Sequence, residues 1–185
     1  EWSDDSSSYY VDEDEAGVYN GTGRWVQDNV GWWYSYSSGG YPSNGWKQIN
    51  GAWYYFNTSG YRQTGWARVD RQWYYLNGDG VMTTGWQIVG GQWYYLNGSG
   101  EMQTGWVQLK DKWYYLEANG AMRTGWLSYQ GDDYFLTDSG AMAVGLCQTR
   151  LDGGCSIFGE DGKLIHGRMT VEQDADGIVR LVTQH

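Results

Sequence analysis

Residues 45–56 read GWKQINGAWYYF, and the central pair Asn50-Gly51 decides how they fold. Asn-Gly is the strongest short hairpin signal, because both turn positions need a positive φ that these two residues tolerate. Two aromatic-rich runs flank it, so the stretch reads as two short antiparallel strands. A two-residue turn sets the register, with Ile49 opposite Ala52, Gln48 opposite Trp53 and Trp46 opposite Tyr55. Side chains alternate faces along a strand. Trp46, Trp53 and Tyr55 therefore share one face, and Ile49, Tyr54 and Phe56 share the other.

The same unit returns along the chain. Gly-Trp recurs at Trp46, Trp66, Trp86, Trp106 and Trp126, always 20 residues apart. Trp-Tyr-Tyr recurs in register from Trp53, Trp73, Trp93 and Trp113, and so do Met82, Met102, Met122 and Met142. A degenerate unit with Trp25 and Trp32-Trp33-Tyr34 precedes them at an offset of 21. After Trp126 the pattern decays: Asp133-Tyr134-Phe135 lacks its Trp, and Cys155-Ser156-Ile157-Phe158 stands where Trp-Tyr-Tyr-aliphatic is due. Gly90-Gly91 and Gln130-Gly131 fall at the turn, while Asp70-Arg71 and Lys110-Asp111 are weaker turn formers placed by the register. One such hairpin is marginal alone in water. Stacked copies bury each other's aromatic faces, and end units differ because one side has no neighbour. The expected architecture is all-β, a β-solenoid of about seven stacked hairpins with a roughly 20-residue repeat.

Three segments follow from this pattern. Residues 1–17 are acidic and Ser-rich with no basic residue, the composition of a disordered, solvated linker. Residues 18–168 carry the hairpin repeats. Residues 169–185 read as a terminal hairpin around Asp176-Gly177, aliphatic where the rest is aromatic, suited to capping the stack or pairing with a second chain.

Composition narrows the function. The 185 residues include 13 Trp, 17 Tyr and 29 Gly but few aliphatics, which excludes an ordinary Leu-rich core. A net charge of −10 argues against a nucleic-acid partner. No apolar run is long enough for a membrane helix. A chain that opens on Glu1 without a basic-then-apolar leader reads as a processed or excised product. The two histidines, His166 and His185, suggest no nucleophile–base–acid set, and the repeat carboxylates vary from unit to unit, so no catalytic residue is assigned. Metal-ligand spacing and phosphate-cradling loops are absent, and no cofactor is implied. Cys147 and Cys155 flank a Gly-rich turn on opposing strands and are expected to form a disulfide in an extracellular setting.

That leaves the aromatic rings. Trp and Tyr could simply fill the interior, and the Tyr54, Tyr74, Tyr94 and Tyr114 series is read that way. The paired Trp, seven residues apart in five units, are different, since Leu or Ile would supply apolar volume equally well. Indole faces carry negative quadrupole potential and attract cations. A quaternary ammonium has no N–H to donate, so an open box of aromatic walls suits it better than a carboxylate. Individually weak sites gain avidity on a polymer carrying many copies of the group.

The pattern G-W-x5-G-x-W-Y-Y-[LF]-x3-G-x-M-x-T resembles the choline-binding repeat of bacterial surface proteins, autolysins and phage lysozymes. The resemblance spans residues 18–168 and is most specific over 65–145. It implies a secreted, non-catalytic module that holds choline, or phosphocholine on teichoic acid, at the bacterial cell wall. It also implies one cage per step of the stack, built from the two Trp of one unit and a Tyr of the next. The face argument selects the second Tyr, which shares the Trp face. The implied sets are Trp25, Trp32 and Tyr55; Trp46, Trp53 and Tyr75; Trp66, Trp73 and Tyr95; and Trp86, Trp93 and Tyr115. Trp106 and Trp113 would close on Phe135 in place of Tyr, and Trp126, with Asp133 as its partner, would form no cage. Met82, Met102 and Met122 would supply a fourth wall. The tail resembles the dimerisation hairpin of choline-dependent amidases, implying a homodimer through 169–185. The competing reading is a glucan-binding repeat that stacks sugars on Trp and Tyr, a class that generally lacks the second Trp of each unit.

Overall fold

The computed structural model describes residues 22–150 and 154–166 in full, and the strands Val18–Tyr19, Met169–Gln173 and Val179–Thr183 as backbone. The expected linker 1–17 and the turn Asp176-Gly177 lie outside the described residues. The strands are β1 (Val18–Tyr19), β2 (Gly23–Gln27), β3 (Trp32–Tyr36), β4 (Gly45–Ile49), β5 (Ala52–Phe56), β6 (Gly65–Val69), β7 (Gln72–Leu76), β8 (Gly85–Val89) and β9 (Gln92–Leu96). They continue with β10 (Gly105–Leu109), β11 (Lys112–Leu116), β12 (Gly125–Tyr129), β13 (Asp132–Leu136), β14 (Gly145–Gln148), β15 (Cys155–Phe158), β16 (Met169–Gln173) and β17 (Val179–Thr183). The class is all-β, a β-solenoid of hairpins. From β2–β3 to β14–β15, seven antiparallel hairpins follow one another, and β16–β17 adds a last ladder. The chain divides into two compact units, 1–103 and 104–185.

The hairpin register is the one the turn demands. Ile49 pairs with Ala52, Gln48 with Trp53 and Trp46 with Tyr55. Asn50 and Gly51 adopt φ of 51° and 80°, the left-handed pair of a type I′ turn. Asp70 and Arg71 take the same conformation, at 49° and 71°, although Arg does not favour it. There the paired strands impose the turn. In the first unit β1 adds a short parallel pairing to β4, Val18 with Gln48 and Tyr19 with Ile49, making a three-stranded sheet that the hairpin pattern does not foresee.

The linkers hold the stack together. Asn77 Oδ1 accepts hydrogen bonds from the backbone N–H of Asp79 and Val81, at 2.9 and 3.0 Å, folding the Gly-rich segment into a tight loop. Beyond the loop, the Met82 N–H donates to the carbonyl of Trp53, one hairpin back, at 2.8 Å. Met102 does the same to Trp73 at 2.7 Å; in the second unit, Met142 bonds to Trp113 and Leu164 to Asp133, each at 2.8 Å. These bonds place the repeat Met beside the Trp of the preceding hairpin.

Burial is concentrated in one residue per hairpin. Phe56, Leu76 and Leu96 in the first unit are fully buried, as are Leu116 and Leu136 in the second, with Phe158 close behind. Each faces a glycine across its own ladder, for example Leu76 opposite Gly65 and Leu136 opposite Gly125. At the start of the first unit, Tyr34, Tyr36, Ile49 and Phe56 form a wider cluster, with Trp25 and Tyr54 packed on it.

The loop glycines are constrained twice over. Gly140 sits at φ +81°, and a Cβ there would collide with the Sδ of Met122. Gly140→Ala is expected to lower stability by about 1–2 kcal/mol from backbone strain alone, read as a lower urea midpoint.

Cys147 and Cys155, expected to pair as a disulfide, are not bonded to each other in the structure. Cys147 stands opposite Ser156, and Cys155 opposite Gln148. The two cysteines are therefore one register step out of line and point to opposite faces of the β14–β15 hairpin. The Cys147 thiol contacts the Gln148 carbonyl at 3.6 Å, and burial, then the neighbouring Cys155, push its pKa up.

Candidate functional site

Each of the hairpins from β2–β3 to β10–β11 presents a pair of indoles, one from each strand. Trp66 on β6 and Trp73 on β7 stand 6.4 Å apart at 89°; Trp86 and Trp93 stand 6.1 Å apart, also at 89°. In the second unit Trp106 and Trp113 are 6.4 Å apart at 82°. The rings therefore form open corners and do not interlock. The second indole of each pair stays well exposed, at 39% for Trp73, 42% for Trp93 and 38% for Trp113.

The next hairpin supplies the third wall. Tyr74 lies 4.8 Å from Trp46, Tyr94 4.9 Å from Trp66 and Tyr134 5.0 Å from Trp106. A pocket of about 530 Å³ is lined by Trp46, Trp53, Tyr74 and Met82, with the loop residues Gly98 and Ser99 at its edge. In the second unit a pocket of about 310 Å³ is lined by Trp106, Trp113, Tyr129, Tyr134 and Met142, with the carboxylates of Glu160 and Asp161 beside it.

The third wall is thus the first tyrosine of each Trp-Tyr-Tyr, not the second. Tyr55, Tyr75, Tyr95 and Tyr115 each lie across their own hairpin, 5.1–5.2 Å from Trp46, Trp66, Trp86 and Trp106 respectively. The face assignment itself holds, but it selects the wrong ring. Repeats stack front to back, so the Trp face of one hairpin meets the opposite face of the next, where the first tyrosine sits. Phe135 likewise does not border the Trp106–Trp113 pocket. It packs 5.3 Å from Trp126 and 6.4 Å from Phe158.

The methionines fall where the linker bonds put them. Met82 and Met142 line the two pockets, and the Met102 backbone is tied to Trp73. Met142 is a wall that the sequence reading omits, although it carries the same 20-residue register as the others. Met122 lies against Gly140. Around Trp126, Phe135 and Phe158 close in, Leu164 takes the methionine position and Asp133 accepts from the Ser128 hydroxyl.

The first pair differs from the rest. Tyr54 lies 4.8 Å from Trp25 and Phe56 stacks on it at 6.0 Å. Arg62 brings its guanidinium over both Trp25 and Trp32.

Two of the pocket phenols, Tyr74 and Tyr134, have pKa values pushed above the ordinary one. Burial, then Glu101 and Asp70, raise the Tyr74 pKa. Burial is also the main cause for Tyr134, with Asp132 and Asp161 adding to it and Lys163 opposing. Among the described residues no cluster of His, Cys, Asp and Glu could hold a metal ion. Aromatic faces, a thioether and neutral phenols make a box suited to apolar cations and to flat apolar surfaces.

The sequence matches the choline-binding repeat at residues 43–82, 63–104 and 103–145, which together cover more than half of the chain. The chain belongs to the choline-binding repeat family. It is similar to choline binding protein F of Streptococcus pneumoniae, solved with a peptidoglycan analogue, at 43% identity and TM-score 0.69. That match covers 78% of this chain but only 47% of the other, so this choline-binding repeat chain spans about half of its relative's length. The choline-binding domain of CbpL from S. pneumoniae aligns at 28% identity and TM-score 0.60 over 86% of this chain and 87% of that one. The endolysin of phage Cp-1, solved complexed with choline, aligns at 42% identity and TM-score 0.50 over 65% of this chain and 37% of that one. No curated protein sequence matches significantly.

Proposed function

We propose that this chain is a non-catalytic attachment module that binds choline, carried as phosphocholine on teichoic acid, at a bacterial cell surface. The observation that carries the reading is the right-angled indole corner, 6.1–6.4 Å wide, whose second ring stays about 40% exposed. A protein gains nothing in folding from leaving indoles open in three successive repeats, whereas a trimethylammonium group fills such a corner with methyl contact on two faces. The ring quadrupoles then attract its charge, an interaction worth about 0.5–2 kcal/mol per wall. The proposed cages are Trp46, Trp53, Tyr74 and Met82; Trp66, Trp73, Tyr94 and Met102; and Trp106, Trp113, Tyr134 and Met142. Glu160 and Asp161 add negative potential beside the last of these. The Cp-1 endolysin complexed with choline supports this ligand over a sugar.

Millimolar choline is expected to change the Trp fluorescence of the purified chain and to elute it from a tertiary-amine matrix, while dextran does neither. Retention on dextran without a choline response would assign the aromatic corners to sugar stacking.

A further inference from the structure

We infer that Arg62 is a built-in occupant of the first indole pair, closing it to external ammonium groups. The inference rests on the reading that the other Trp pairs take such groups. Trp25 and Trp32 hold the positions that Trp46 and Trp53 hold one unit later. Arg62 stands 20 residues before Met82, in the methionine register. Its backbone enters the stack as the methionines do, with its N–H donating to the Trp32 carbonyl at 2.9 Å as Met82 donates to Trp53 at 2.8 Å.

The side chain follows the methionine track as well. A Cβ added at Gly80 would come within 2.8 Å of Arg62 Cδ, as one at Gly100 would meet Met82 Sδ at 2.5 Å. Arg62 is longer, and its end reaches the place reserved for ligand elsewhere. Its Cζ lies 5.5 Å from the Trp25 ring centre and 5.4 Å from that of Trp32. Nη2 also donates to the Gly78 carbonyl at 3.2 Å, which anchors the guanidinium from the loop side.

A guanidinium is a planar, delocalised cation that stacks on aromatic faces. It therefore presents to the two indoles the same complement, a diffuse cation with flat apolar faces, that choline would bring. Being tethered, it faces them at an effective concentration that free choline at millimolar levels does not match. The first step of the stack thereby becomes structural, with Trp25 packed on the Tyr34–Tyr36–Ile49–Phe56 cluster.

Calorimetric titration with choline chloride tests this on four chains: wild type, Trp32→Leu, Arg62→Met, and the double variant. Trp32→Leu is expected to bind as many cholines as wild type. Arg62→Met is expected to bind one more, and the double variant to return to the wild-type number. Loss of a site in Trp32→Leu, or no gain in a folded Arg62→Met, overturns the inference. A ligand-free readout separates this from the functional reading. The Arg62 Hδ protons should be shifted upfield by ring currents in the NMR spectrum of the wild type, and the shift should shrink in Trp32→Leu, where only Trp25 still faces the side chain. Normal Hδ shifts would sink the Arg62 assignment, whereas a wild type that ignores choline but keeps the upfield shift would sink only the functional reading.

Discussion

Leu76→Ala is expected to cost about 2–5 kcal/mol of stability, a large part of the roughly 5–15 kcal/mol a domain usually has. Leu76 is fully buried, faces Gly65 across its ladder and bridges to Met82. No side chain on Gly65 can move in to fill the space, and the hairpin has no other fully buried aliphatic residue to share the loss. The damage also spreads along the first unit. Met82, to which Leu76 bridges, donates to the Trp53 carbonyl in the hairpin before. In a repeat stack each hairpin is stable only through its neighbours, so weakening one interface weakens two units. Urea unfolding should show a midpoint lowered by about 1 M or more. Val144→Ala, at a site 56% exposed, serves as the control and should shift stability by no more than about 0.5 kcal/mol.

Much of this architecture could be read from the residues, and the reasons are local. Asn50-Gly51 dictates a turn, the turn dictates a register and the register dictates which rings share a face, all within one hairpin. The 20-residue period then carries that reading to Asp70-Arg71, where local propensity alone would not have placed a type I′ turn. What local reasoning misses is how one hairpin meets the next. The polarity of stacking makes Tyr74, not Tyr75, the wall beside Trp46. The same blindness applies to β1, whose pairing with β4 joins segments 30 residues apart. Cys147 and Cys155 are offset by one register step, which the flanking turn does not reveal and which places the two side chains on opposite faces. Arg62 is a different case. Its departure from the methionine series is visible in the sequence, but only the stack shows that a side chain at that position reaches the preceding indoles.

Trp113→Leu separates ligand walls from core and should have the opposite signature to Leu76→Ala. Trp113 is 38% exposed, and its link to the stack is its carbonyl, which accepts from Met142 and survives the substitution. Leu keeps aliphatic contact with Trp106, so stability should fall by no more than about 1 kcal/mol. Binding should suffer far more. Removing one π face from a trimethylammonium group forfeits about 2 kcal/mol, roughly 30-fold. A site that binds in the millimolar range then drops out of a calorimetric titration, and one choline per chain is lost. Retention on a polymer bearing many cholines should fall more steeply than the count, because every engaged site multiplies the effective affinity. Tyr134 refines the test, since it lines the same pocket 5.0 Å from Trp106. Tyr134→Phe keeps the ring face and loses the hydroxyl, so choline affinity should hold, whereas Tyr134→Leu should weaken it as Trp113→Leu does. A sugar ligand would already lose affinity in Tyr134→Phe, because hydroxyl donors matter to a carbohydrate and not to a trimethylammonium group with no N–H or O–H. Should Trp113→Leu lower the urea midpoint as far as Leu76→Ala does while the folded protein keeps the same choline count, the indoles are filler and the cages are not binding sites.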